Sequence, residues 1–204
     1  MDQFHSNPEI ALARELILET GCNLFLTGRA GTGKTTFLHN IRHNLEKRCV
    51  ICAPTGVAAI NCGGVTLHSF FQLPFGPILP GSSREQRFRF TKQKRDIIRN
   101  LDLLVIDEIS MVRADLLDGV DAVLRKIRRR SDPFGGVQLL LIGDLYQLPP
   151  VVKEDERSLL AHHYSSTFFF GSHALQETLL YTIELQHVYR QEDQKFINIL
   201  NQIR

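Results

Sequence analysis

No apolar run in this 204-residue chain approaches the roughly 20 residues needed to span a bilayer. The first residues, Met1-Asp2-Gln3-Phe4-His5, lack the charged-then-apolar order of a secretory signal. No membrane partner is expected, and the expected location is intracellular (cytoplasm or nucleoid in a bacterium). Cysteine is scarce, at four residues. Cys49 and Cys52 have C-x-x-C spacing, but they fall in an apolar, strand-like run. Residues three apart in a strand point to opposite faces, which argues against a metal or redox pair. Cys22 and Cys62 read as small core residues. His39 and His43, one helical turn apart, and the adjacent His162 and His163 have no third ligand in view. Internal repeats and low-complexity tails are also missing.

What is present is an ordinary globular composition, 43% hydrophobic and 23% charged, long enough for one domain with a full core. The net charge of +2 names no partner, but its distribution is uneven. Seven basic and two acidic residues lie between Arg84 and Arg99, a local +5 that leaves −3 for the rest. A second cluster runs from Arg125 to Arg130. Each has two open readings: a footprint for a phosphate backbone, or a solvated helix face or helix C-terminus.

Strand-like and helix-like patterns alternate. Pro8 to Glu19 reads as a helix capped by Asn7. Strands are expected at 23–27, 49–53, 101–106 and 137–142, with shorter ones at Phe168–Phe170 and Tyr181–Leu185. Helices are expected at 33–46, 57–60, 84–100, around Leu116, Val120, Val123 and Ile127, and finally around Phe196–Ile203. Repeated strand–helix units predict an α/β fold with a parallel sheet and helices on both faces. The Pro- and Gly-rich stretch from Gln72 to Ser83 and the basic stretch after it predict a small insertion at about 71–100. In such sheets ligands bind beyond the carboxyl ends of the strands, and every motif below falls at a strand end.

Gly28-Arg29-Ala30-Gly31-Thr32-Gly33-Lys34-Thr35 fits the phosphate-binding loop G-x-x-x-x-G-K-[ST], followed by Thr36 in the first helical turn. A strand feeding a glycine-rich loop into a helix N-terminus gathers backbone N–H groups and a favourable dipole around a polyphosphate. Lys34 is placed for the β- and γ-phosphates of ATP and the Thr35 hydroxyl for Mg²⁺. The strand 101–106 ends in Asp107 and Glu108. Asp107 is a candidate Mg²⁺ ligand and Glu108 a candidate general base for an attacking water. Gln147, after the next strand, is placed to contact a γ-phosphate.

Six segments in order carry a resemblance: GRAGTGKTT (Gly28–Thr36), APTGVAA (Ala53–Ala59), GVTLHSF (Gly64–Phe70), VIDEIS (Val105–Ser110), GDLYQLPP (Gly143–Pro150) and LQHVYRQ (Leu185–Gln191). Together they resemble the PIF-type (petite integration frequency) DNA helicases of superfamily one. The resemblance implies a P-loop NTPase, RecA-like motor domain that is driven by ATP and moves 5′ to 3′ on single-stranded DNA. It makes Gly28, Ala30, Gly31, Thr32, Gly33, Lys34, Thr35 and Thr36 the nucleotide cradle, and Gln147 the γ-phosphate sensor. It adds Arg190 as the arginine reaching the γ-phosphate and leaves Gln3 as the only candidate for the family's adenine-reading glutamine. DNA contacts carry over onto Pro54, Thr55, Gly56, Thr66, His68, Ser69 and Phe70, with His68 or Phe70 stacking on a base; packing of Phe70 and Phe71 in the core is the other open reading. The family's second motor domain is expected to be absent from this chain, with little unwinding by the chain alone, and a monomer is expected. Two rival readings stay open. A nucleoside kinase would need an acceptor pocket in place of the Thr55 and His68 segments, and a nucleotide-gated DNA-binding module would need no turnover.

Overall fold

The structure is a computed structural model that describes residues 7–80 and 90–189. Gln3, the start of the basic stretch at Arg84, Arg190 and the final helix expected around Phe196–Ile203 lie outside the described residues. The first helix, α1, covers Pro8–Glu19, with Asn7 Oδ1 accepting the N–H groups of Glu9 and Ile10 at 2.9 and 3.1 Å. Strand β1, Asn23–Gly28, leads into helix α2, Lys34–His43. Strand β2 is Cys49–Ala53, helix α3 Gly56–Asn61, strand β3 Val65–Thr66 and helix α4 Leu67–Phe71. Helix α5, Lys92–Arg99, precedes β4, Leu103–Ile106, and helix α6, Ala114–Arg128. Strand β5 is Gln138–Ile142, followed by helices α7, Glu154–Ala161, and α8, His173–Gln176, and strand β6, Leu180–Leu185.

The six strands form one parallel sheet in the order β3-β2-β4-β5-β1-β6. All residues of β4 and β5 are buried, because helices cover both faces of the central strands. Alternate residues feed two cores. Leu103, Val105, Leu140 and Ile142 join α1 and α2 on one face. Leu104, Ile106, Leu139 and Leu141 join α4, α5 and α6 on the other.

Phe168–Phe170 does not form the expected strand. Phe168 makes a single antiparallel bridge to Arg113, and Phe169–Gly171 turns as a 3₁₀ helix. The turn drives Phe169 into the core, edge-on to Phe25 at 5.2 Å. Three arginines of the second basic cluster make contacts within the protein. Arg128 donates to the carbonyls of Gly135, Ile98, Arg99 and Leu101 at 2.7–3.2 Å, closing the ends of neighbouring segments. Arg125 pairs with Asp121 and Glu177, and Arg130 with Asp132.

Candidate nucleotide site and adjoining cleft

Three backbone bonds gather the strand ends into one place. The Gly143 N–H donates to Leu26 O at 3.2 Å, the Asp107 N–H to Cys52 O at 2.9 Å and the Tyr189 N–H to Gly31 O at 2.9 Å. The loop after β1 thus lies beside the acids after β4, the segment after β5 and the strap after β6.

The loop needs glycine for two separate reasons. A Cβ on Gly28 would lie 2.6 Å from Leu185 O and 2.8 Å from Thr32 Oγ1, at a φ of +146°. Gly33, at φ 94°, turns the chain into α2 with no side chain capping the helix. The first-turn N–H groups of α2, those of Lys34, Thr35 and Thr36, therefore face an anion site. Thr32 is fully buried and its Oγ1 donates to Arg29 O at 2.8 Å, while Ala30 is exposed at the loop tip. The Lys34 ammonium donates to Gly28 O at 2.5 Å and Arg29 O at 2.9 Å, which holds it across the mouth of the loop. Gly28→Ala is expected to strain this backbone by roughly 1–3 kcal/mol. A melting curve checks it, with a fall of several degrees expected.

Asp107 and Glu108 are both half-buried. The Glu108 N–H donates to Asp107 Oδ1 at 3.0 Å. Glu108 sits in the left-handed region, φ 53° and ψ 43°, a cost that a non-glycine residue bears where the surroundings over-determine it. Burial pushes the Asp107 carboxyl above its usual range. Glu108 rises too, first by burial and then by the Asp107 charge, with Lys34 opposing. The pair is therefore an under-compensated negative site facing a lysine. Among the described residues no group of three or more His, Cys, Asp or Glu side chains is gathered as a metal cage.

Beyond β5, Asp144 is 3% exposed. Its Oδ1 accepts the Tyr146 N–H at 3.0 Å and its Oδ2 accepts Gln147 Nε2 at 3.2 Å, so Asp144 aims the glutamine. Asp144 carries in the sequence the same signal as Asp107, an acid just beyond a buried apolar strand.

The segments after β2 and β3 line a cleft of about 460 Å³ together with Phe75, Met111, Arg113, Val151, Lys153 and Glu156. Pro54, Thr55 and His68 are in its wall. Thr55 Oγ1 caps α3 through the Ala58 N–H, and Thr66 Oγ1 caps α4 through the Ser69 N–H, both at 3.2 Å. Gly56 and Ser69 are exposed beside them. Of the two readings of Phe70, the structure favours core packing. Phe70 is 5% exposed, packs edge-on to Phe71 at 4.8 Å and lies under the Lys94 ammonium at 3.4 Å. Its ring belongs to the core and offers no face to a base. The aromatic exposed in this cleft is Phe75, outside every motif of the sequence and stacked on His68 at 5.0 Å and 13°. Burial, and then the Arg113 charge, hold His68 below its ordinary value of 6.5, which favours the neutral ring.

A parallel sheet with a glycine loop at the end of β1 and paired acids at the end of β4 defines a P-loop NTPase of the RecA-like kind. The chain belongs to the PIF1-like helicase family, whose family model matches residues 10–204. It is 40% identical over 197 residues to the ATP-dependent DNA helicase RRM3 of Saccharomyces cerevisiae, covering 93% of this chain and 26% of RRM3. It is similar to the crystal structure of Bacteroides Pif1 bound to ssDNA, with 47% identity and a TM-score of 0.91, covering 97% of this chain and 45% of that one. A Bacteroides Pif1 complex with ADP-AlF3 and ssDNA gives 46% identity and a TM-score of 0.92, covering 97% of this chain and 46% of that one. The chain thus spans about a quarter of that curated relative and just under half of those solved chains.

Proposed function

We propose that this chain is an ATP-driven motor unit of a 5′-to-3′ DNA helicase, binding ATP with Mg²⁺ at the P-loop and single-stranded DNA in the adjoining cleft. The observation that carries the reading is the convergence of Lys34, Asp107, Glu108 and Gln147 at neighbouring strand ends, one strand away from a cleft walled by Pro54, Thr55 and His68. The relatives act on or bind DNA and nucleotide by name, and the six segments of this chain that resemble the family's motifs support the same reading.

Lys34 neutralises β- and γ-phosphate charge, and the α2 N-terminus with Thr36 cradles the phosphates. Thr35 and Asp107 fit Mg²⁺, which takes one or two protein oxygens and completes its shell with phosphates and water. The bound ion would neutralise charge between the phosphates, relieving the under-compensated Asp107 carboxylate. Glu108 takes the proton of the attacking water as the bond to the γ-phosphorus forms and ADP leaves. Gln147, aimed by Asp144, contacts the γ-phosphate. Arg190 supplies a guanidinium to the transferring phosphoryl group. In the cleft the Thr55 hydroxyl, and beside it the Thr66 and Ser69 hydroxyls and the Gly56 backbone, suit phosphates, and the His68–Phe75 pair suits a base.

The test is ATP hydrolysis with and without an oligothymidylate, in the wild-type protein and His68→Ala. DNA should stimulate turnover. Loss of the histidine should raise the DNA concentration for half-maximal stimulation about 5–30-fold, the worth of roughly one stacked base. An unchanged DNA dependence would reject the cleft as the DNA site.

A further inference from the structure

The Arg113 guanidinium is committed inside the protein. Its Nε and Nη2 donate to the two carboxylate oxygens of Asp115 at 2.9 and 2.8 Å, and its Nη1 donates to Glu156 Oε2 at 2.9 Å. Asp115 is 1% exposed, and its Oδ2 also accepts the backbone N–H of Ile78 at 2.9 Å. Three segments distant in sequence therefore meet at one ion cluster: the start of α6, the first turn of α7 through Arg113, and the loop that carries Phe75 through the Asp115 carboxylate that Arg113 holds. The cluster holds one positive and two negative charges, so its balance does not favour a further anion.

Each of these contacts fixes one wall of the cleft. On one side, Ile78 is tied to Asp115 and packs on the main core with Leu73, and Leu79 packs on the small core of Ala114, Leu160 and Tyr164. With the loop held at both ends, Phe75, itself 92% exposed, stands over His68. On the other side, Glu156 lies in the first turn of α7, whose N-cap residue is the cleft residue Lys153. The Glu156 and Arg157 N–H groups both donate to Lys153 O.

We propose that Arg113 is a positioning residue for single-stranded DNA, setting the gap between the His68–Phe75 wall and the Lys153 wall without itself holding a phosphate. This rests on the reading of the cleft as the DNA site. A fork that satisfies two carboxylates at once is a task for arginine, since a lysine ammonium cannot reproduce the planar geometry.

The experiment measures binding of a fluorescein-labelled oligothymidylate as a function of salt. The double variant Arg113→Gln with Glu156→Gln removes the bridge and leaves the net charge of the cluster unchanged. Affinity is expected to fall about tenfold, roughly one stacked contact, while the slope of log affinity against log salt stays the same. A slope smaller by about one would make Arg113 a direct phosphate contact and overturn the proposal, as would an unchanged affinity. Nucleotide affinity reports that the fold is kept. Should the double variant lose it, Arg113→Lys decides, because it keeps the charge and loses only the fork. Weakened DNA binding there supports the proposal and unchanged binding overturns it. Thr55→Ala and His68→Ala separate the two levels. If they leave DNA affinity unchanged, the cleft reading fails; if they weaken it and the Arg113 variants do not, only the positioning role fails.

Discussion

Replacing Glu108 by glutamine is expected to lower the turnover of ATP by about 10²–10⁴-fold, the usual worth of a positioned general base, while nucleotide affinity is retained. The same change is expected to raise the melting temperature at neutral pH. Burial and the Asp107 charge lift the folded-state pKa of Glu108 above its ordinary 4.5. A carboxyl raised in this way favours the fold below its unfolded pKa, and that contribution is lost as pH rises through the folded value. At neutral pH the wild-type carboxylate is therefore a net burden that the neutral amide removes, and the gain should vanish near pH 4, where the wild-type acid is protonated. Turnover and melting curves at pH 4 and pH 7 check this together. Persistent turnover would reject Glu108 as the base. A lowered melting temperature at neutral pH would reject its desolvation as the source of the raised pKa.

Lys34→Ala is expected to weaken nucleotide binding by about 30-fold to 10³-fold or more, the cost of removing one partner of a desolvated charge pair. The wild-type ammonium already sits over the loop mouth, bound to the carbonyls of Gly28 and Arg29. Those two bonds stay within the loop itself, so the loss should fall more on affinity than on the melting temperature. Titration with a fluorescent ATP analogue measures it, and retained affinity would reject the phosphate-loop assignment. The two variants separate binding from chemistry: one should bind without turnover, and the other should scarcely bind.

Much of the site was legible because its signals are local. The loop Gly28–Thr35 and the pair Asp107–Glu108 are contiguous, and a buried strand before each is visible as an apolar run. For Phe70 the helical spacing favours the core over a base-stacking role. Leu67, Phe70 and Phe71 lie at i, i+3 and i+4, one face of a short helix, and all three are buried, while His68 and Ser69 lie on the other side. Phe75 gave no periodic signal, because it stands in a Pro- and Gly-rich loop whose course is set by the distant Asp115 and Leu160.

The sequence by itself determined what is set by short-range chemistry: the α/β class, the phosphate loop, the acids after β4 and the glutamine after β5. Only the tertiary structure decided which charges are spent and which are offered. Arg113 and Arg128 look like any other arginine in a row of residues, and their roles exist only where carboxylates and carbonyls from far along the chain surround them. The strand order β3-β2-β4-β5-β1-β6 is of the same kind. It follows from how crossover helices pack on both faces, and it brings loops more than a hundred residues apart, Gly31 and Tyr189 among them, into hydrogen-bond contact.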